Sequence, residues 1–220
     1  MRGQLRTKPT LQIWLATELD ASFDPAILTP AELARYGRLR SPRKRKEFEL
    51  SRTLLHRLRP TKTTISLSHS AGLVALAIGD PAVAIGIDIE IHKSRDVISL
   101  ARFAFDPEEG ADLARQPNAV QLFYDLWVLK EACAKALRLP LVDALRTCVF
   151  TIENRIIGGL LPTAEPWRAY VWHPRPNLSL GVVVVGSEGP VTVRQAEWPA
   201  GVPASWPATA AVAGGGATLL

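Results

Sequence analysis

The 220-residue sequence predicts an α+β fold in two halves that meet near residue 92. Three observations predict it. Three strand-like runs lie between residues 64 and 91, a long amphipathic helix covers 121–138, and a second set of strand-like runs follows residue 150. The halves are read as 1–91 and 92–198. The tail 199–220, rich in Ala, Gly and Pro, is expected to be disordered.

LQIWLAT (11–17) reads as a first strand. Ser41-Pro42 marks a helix start, and Leu50, Leu54 and Leu58 continue it at helical spacing. TISLSHS (64–70), LVALAI (73–78) and AVAIGIDIEI (82–91) are separated by Ala71-Gly72 and by Gly79-Asp80-Pro81, which predicts an antiparallel meander. DVISLARFAF (96–105) reads as a helix. Asp106-Pro107-Glu108-Glu109 then supplies an N-cap acid, a proline at the first helical position and Glu109 where a capping box places it. In QLFYDLWVLKEACAKALR (121–138), Leu122, Leu126, Leu129, Cys133 and Leu137 form a core stripe. FTIEN, AYVWH, LSLGVVVVG and VTVRQAEW are the later strands.

Hydrophobic residues make up 47% and charged residues 21%, an ordinary globular balance. No apolar run reaches the roughly 20 residues of a membrane span. The first residues lack the pattern of a signal peptide, so a cytoplasmic protein is expected, with no membrane partner. Cys133 and Cys148, the only cysteines, suggest neither a disulfide framework nor a zinc site. The net charge of +5 is uneven: residues 35–59 hold ten Lys or Arg against two Glu, a local +8. Such a stretch attracts an anion (nucleic acid, a phosphorylated cofactor or an acidic protein), or is simply a solvated helix face.

AIGIDIEIHK (84–93) puts Asp88 and Glu90 two residues apart in an apolar run, on one face of a strand. Burying two like charges is unfavourable by several kcal/mol unless a cation lies between them. A strand end turning into solvent is the bland account. A metal site is the sharp one. On the long helix, Trp127, Glu131 and Lys135 share a stripe at i, i+4 and i+8, with Lys130 beside it. An exposed Glu131–Lys135 pair would contribute only a few tenths of a kcal/mol. In SLSHSAG, serines alternate with Leu67 and His69 ahead of Ala-Gly, a good seat for phosphate. Neither a Gly-x-Ser-x-Gly elbow nor a P-loop is present. Asp88, Glu90 and Glu131 together would supply three oxygen ligands for Mg2+, with Mn2+ as an alternative. Phosphoryl or phosphodiester transfer is the chemistry suggested.

The sequence resembles the 4'-phosphopantetheinyl transferases of the surfactin-synthetase-activating type. The carrying residues are SLSHSAG (66–72), GIDIE (86–90) and FYDLWVLKEACAKAL (123–137), supported by RFAFDPEEGADL (102–113) and SRTLL (51–55). The resemblance runs from about residue 29 to 150. It implies transfer of the 4'-phosphopantetheine arm of coenzyme A to a serine of an apo carrier protein of acyl, polyketide or peptidyl type, with release of 3',5'-ADP. It implies Mg2+ held by Asp88, Glu90 and Glu131, and coenzyme A phosphates contacted by His69 and Ser68. Lys130 and Lys135 would bind the pyrophosphate, and Arg52 and Arg35 the 3'-phosphate. Glu109 would sit where a base or water-organising acid is proposed. The implied fold is a pseudo-dimer of two similar halves, and a monomer is expected. Two departures stand out. Only 15 residues separate Arg52 from Ser68, so a G-K-P segment usual in the family is missing, and the turn after Lys135 is shortened to RLPLVDAL.

Two rivals remain. A metal-dependent nuclease would also use paired acids, a lysine and a basic patch. A non-catalytic nucleic-acid-binding module would use residues 35–59, where only Tyr36 and Phe48 offer stacking surfaces. The order of acids and lysines in 84–93 and 127–135 favours the transferase, so no nucleic-acid partner is expected.

Overall fold

The computed structural model describes residues 9–19, 23–153, 155–188, 190–198, 202–206 and 208–214. In chain order its first elements are β1 (Thr10–Ala16), α1 (Pro30–Arg38), α2 (Pro42–Leu58), β2 (Thr64–Ser70), β3 (Leu73–Gly79) and β4 (Ala84–Ile91). Four helices follow: α3 (Val97–Ala104), α4 (Pro107–Leu113), α5 (Ala119–Leu137) and α6 (Leu141–Thr147). The remaining strands are β5 (Val149–Glu153), β6 (Ile156–Leu160), β7 (Trp167–Arg175), β8 (Leu178–Val185), β9 (Thr192–Trp198), β10 (Val202–Ala204) and β11 (Ala208–Gly214). The α+β class is therefore as expected.

Local sequence explains the helix starts. Ser41 caps α2 by accepting from Lys44 N, with Pro42 at the first helical position. Thr29 and Glu32 form a reciprocal capping box on α1, whose helix the sequence reading passed over. Asp106 caps α4 through Glu108 N and Glu109 N, but Glu109 does not complete a capping box. Its side chain turns inward instead, as described below.

One sheet has the order β10-β9-β1-β3-β2 and another β11-β7-β8-β4; β5 and β6 form a separate hairpin. Both large sheets draw strands from either side of residue 92: β1 pairs in parallel with β9, and β4 pairs antiparallel with β8. The boundary at 91/92 divides the chain but not the sheets. The expected three-strand meander is likewise corrected. β2 and β3 pair antiparallel, whereas β4 leaves for the other sheet. The reason is burial: Ile85, Ile87 and Ile89 face one core with Val182 and Val184, while the opposite face of β4 meets α5.

The edges of the two sheets, β2 and β4, run side by side and are joined by serines rather than by a backbone ladder. Ser66 Oγ accepts from Ile87 N at 3.0 Å and Ser70 Oγ from Ile91 N at 3.4 Å. Ser68 Oγ donates to Asp88 at 2.6 Å and Ser70 Oγ to Glu90 at 2.8 Å. Exposed strand edges invite wrong pairing, and this seam covers two of them at once.

Residues 202–204 and 208–214 are strands, although the sequence reading placed them in a disordered tail. Trp206 accounts for the difference. It is buried, its backbone N–H donates to Gln195 at 2.9 Å and its indole N–H to Glu197 at 3.0 Å. That one aromatic anchors a composition that otherwise reads as unstructured.

Helix α5 lies against β4 and β8 at backbone distance because both strands carry a glycine beneath it. A Cβ at Gly86 would run into the carbonyl of Ala132, and one at Gly181 would lie 2.7 Å from Val128 Cγ2. Gly86→Ala is therefore expected to lower stability by about 3 kcal/mol, and Gly181→Ala by roughly 1–3 kcal/mol. Gly37→Ala in α1, where nothing lies within 4 Å, should instead hold or raise it. Chemical denaturation midpoints of the three variants check the order.

Candidate active site

Because side chains alternate along β4, Gly86, Asp88 and Glu90 share the face that meets α5, and α5 directs Glu131 and Lys135 at them. Asp88 is buried. Its Oδ1 accepts from Ser68 and, at 2.9 Å, from Lys135 Nζ, which also donates to Ile87 O at 2.7 Å. Asp88 Oδ2 is buried without a partner. Glu90 accepts from Ser70. Burial pushes the Glu131 carboxyl up to about 7; the charges of Asp88 and Glu90 add to it, while Lys135 and the Trp127 indole oppose it. Five of the residues singled out in the sequence therefore do converge: Ser68, Asp88, Glu90, Glu131 and Lys135.

The donors present bear on whether this place suits a divalent cation. An orphaned buried carboxylate oxygen on Asp88, and the neighbouring Glu131 carboxyl pushed up first by burial and then by the charges of Asp88 and Glu90, both describe a place short of positive charge. Among the described residues no three His, Cys, Asp or Glu side chains stand close enough to hold an ion as they are. The ammonium of Lys135 is the positive charge in contact with Asp88. In donor chemistry the acids suit a hard cation such as Mg2+, whose remaining ligands come from water and phosphate.

Other expected site residues lie elsewhere. Lys130, read as a pyrophosphate ligand, is fully buried and pairs with Glu109 at 2.6 Å. It also donates to Leu145 O at 2.8 Å and Cys148 O at 2.6 Å, so it caps the end of α6. Lys135 follows Lys130 by five positions on α5, which at 3.6 per turn puts them well apart around the helix. Glu109, read as a base, accepts from Phe150 N at 3.0 Å, and burial pushes its carboxyl up against the pull of Lys130. The geometry makes both a structural pair. Ser68 directs its hydroxyl at Asp88, while His69 takes the other face of β2, half-exposed, 3.5 Å from Glu47. The guanidiniums of Arg35 and Arg52 lie 5.6 and 5.0 Å from the Phe48 ring centroid. Arg52 also pairs with Glu32 at 3.1 Å.

A polar cluster at the far end of α5 escaped the sequence reading. Asp125 Oδ1 accepts from Ser179 at 2.6 Å, His173 at 2.8 Å and Gln121 at 3.0 Å. Ser179 lies opposite Glu90 in the β4–β8 register and touches His92 at 2.9 Å. Burial pushes the His92 imidazole down, Asp125 opposing and His173 adding. Gln121 and Asp125 at i, i+4 were the available signal.

Residues 84–183, under half of the chain, match the family model of the 4'-phosphopantetheinyl transferase superfamily. A protein of Haemophilus influenzae, provisionally named a 4'-phosphopantetheinyl transferase, is 28% identical over 105 residues, which is 46% of this chain and 45% of that protein. The matching region thus spans less than half the length of this relative. The resemblance read from the motifs is borne out over this region, which contains all of the acid row. No described helix is long and apolar enough to cross a membrane.

Two predictions follow from the charges. An acid whose pKa is raised on folding holds its proton more tightly in the folded state. Its contribution is therefore greatest below about 4.5 and is lost as pH rises toward about 7. Glu131→Gln should melt a few degrees above the parent protein at pH 8, with a smaller gap at pH 5. Lys130→Met leaves a buried carboxylate without its cation and should reduce stability by about 3–5 kcal/mol. The Lys130→Met, Glu109→Leu double variant should recover most of that in urea denaturation, which a purely catalytic role for the pair would not produce.

Proposed function

We propose that the chain transfers the 4'-phosphopantetheine arm of coenzyme A to a serine of an apo carrier protein, releasing 3',5'-ADP. The observation that carries this reading is the acid row at the seam: Asp88 with an orphaned oxygen, Glu90 beside it, Glu131 above it and Lys135 in contact. The superfamily match over 84–183 contains all four. Asp88, Glu90 and Glu131 would hold Mg2+, which when bound neutralises the pyrophosphate and the charge that develops as it is cleaved. Lys135 supplies a second positive charge on a stem already positioned by Ile87 O. The carrier serine oxygen attacks the β-phosphorus, the bond from that phosphorus to the bridging oxygen breaks, and 3',5'-ADP leaves with the bridging oxygen and the electron pair while the serine proton passes to solvent. Arg35 and Arg52, presented on Phe48, suit the nucleotide's 3'-phosphate. Arg43, Lys44 and Lys46 are exposed at the start of α2, where they would draw in an acidic carrier.

The test is incubation with coenzyme A, Mg2+ and an apo carrier protein, followed by intact-mass analysis. The carrier should gain the phosphopantetheine mass, and labelled DNA and RNA should stay intact under the same conditions. Asp88→Ala should reduce the rate by at least about 100-fold while the fold persists. Full activity in that variant would sink the assignment of the acid row. Loss of labelled nucleic acid without carrier modification would favour the nuclease.

A further inference from the structure

Cys133 on α5 and Cys148 at the end of α6 are the chain's two cysteines, and the fold brings their sulfurs to 2.7 Å, both fully buried and both free thiols. An S–S bond is about 2.05 Å long, so the sulfurs need close by only roughly 0.7 Å. The backbone on either side is already fixed. Lys130, one turn before Cys133, holds the carbonyls of Leu145 and Cys148, and α6 packs along α5. Of the acids described above, Glu109, the partner of Lys130, is the one whose charge acts on Cys148. Cys133 sits between Glu131 and Lys135 in the same turn of helix.

We propose that Cys133 and Cys148 are an oxidative modification site, closing to an intrachain disulfide with hydrogen peroxide as the two-electron oxidant. The bond would tie the Glu131–Lys135 turn of α5 to the start of β5. The hydrogen bond from Cys133 lowers the Cys148 thiol, with burial opposing and the Lys130 cation helping, which makes Cys148 the first nucleophile. Its thiolate attacks one peroxide oxygen, the O–O bond breaks, and a sulfenic acid and hydroxide form. The Cys133 sulfur then attacks the sulfenic sulfur, and the oxygen leaves as water with the Cys133 proton. Overall, two thiols and one hydrogen peroxide give one disulfide and two waters. A cavity of about 190 Å3 is lined by Val149 and Phe150, the residues that follow Cys148, so the oxidant has to cross only the layer between that cavity and the buried thiols. This inference does not depend on the proposed transfer activity.

The experiment uses the full chain, reduced with dithiothreitol, exchanged, and treated with hydrogen peroxide. The expected result is a mass lower by two hydrogens, no titratable thiol in denaturant where two stood before, and a peptide linking Cys133 to Cys148. Dithiothreitol should reverse all three. The melting temperature of the oxidised form should be higher by roughly 5–10 °C, because the bond restricts the unfolded chain. Persistence of two thiols, oxygen adducts on single cysteines, or disulfide-linked dimers would each overturn the proposal. A closed bond with no rise in melting temperature would overturn the anchoring of α5. Cys148→Ser should lose no hydrogens under the same treatment; should that variant fail to fold, the peptide map of the parent protein decides alone.

Discussion

Most of this molecule depends on how closely α5 approaches the backbone of β4 and β8. Two glycines, Gly86 and Gly181, leave no side chain between helix and sheet, and the helix settles into the space. At that distance short side chains on one element reach polar groups on the other. Lys135 can therefore bond both the carbonyl of Ile87 and the carboxylate of Asp88, and Asp125 can receive Ser179 directly. A helix held one side-chain layer farther away, at an ordinary packing distance, would leave these groups to water. The geometry around Asp88 and Lys135 is thus a consequence of two absent methyl groups.

The same helix shows why residue type is a poor guide to role. Lys130 and Lys135 both follow the matched pattern, and both are cations facing a carboxylate. One faces Glu109 in a fully buried position and closes the end of α6; the other is partly open and lies against the acid row. A buried pair of this kind is a poor source of net stability, because desolvation opposes the attraction, but it leaves neither charge free to meet a substrate. Lys130 serves the position of α6, and through α6 the packing of the helix that presents Glu131 and Lys135.

Much of this could be read from the chain. Periodic apolar residues located α5, and strand-like runs with Gly and Pro between them located β2, β3 and β4. Asp88 and Glu90 stood out because carboxylates in an apolar strand need an explanation, and Glu131 with Lys135 answered it on the same sheet face. What could not be read was pairing between distant segments. Nothing local to β4 says that its partner is β8 rather than β3, since both offer apolar faces. Glu109 occupied a capping-box position, and only the arrival of Lys130 and Phe150 from elsewhere turned it inward. Composition misled at the tail, because a single Trp206 outweighs a run of small residues. The α1 helix was legible in Thr29, Pro30 and Glu32 and was simply passed over.

The parallel pairing of β1 with β9 has a consequence for how the chain acquires its structure. Leu11 and Val193 are partners in the ladder, so a strand near one end of the sequence waits for one near the other. During synthesis β1, β2 and β3 can assemble early, but with one edge unfilled until residues 192–198 have been made. Likewise β4 emerges long before β8, its ladder partner. Long-range closure of this kind is slow, and the exposed edges are open to wrong partners in the interval. Neither half of the chain contains all the strands of either large sheet. A truncation at the midpoint would therefore yield two incomplete large sheets rather than two small domains.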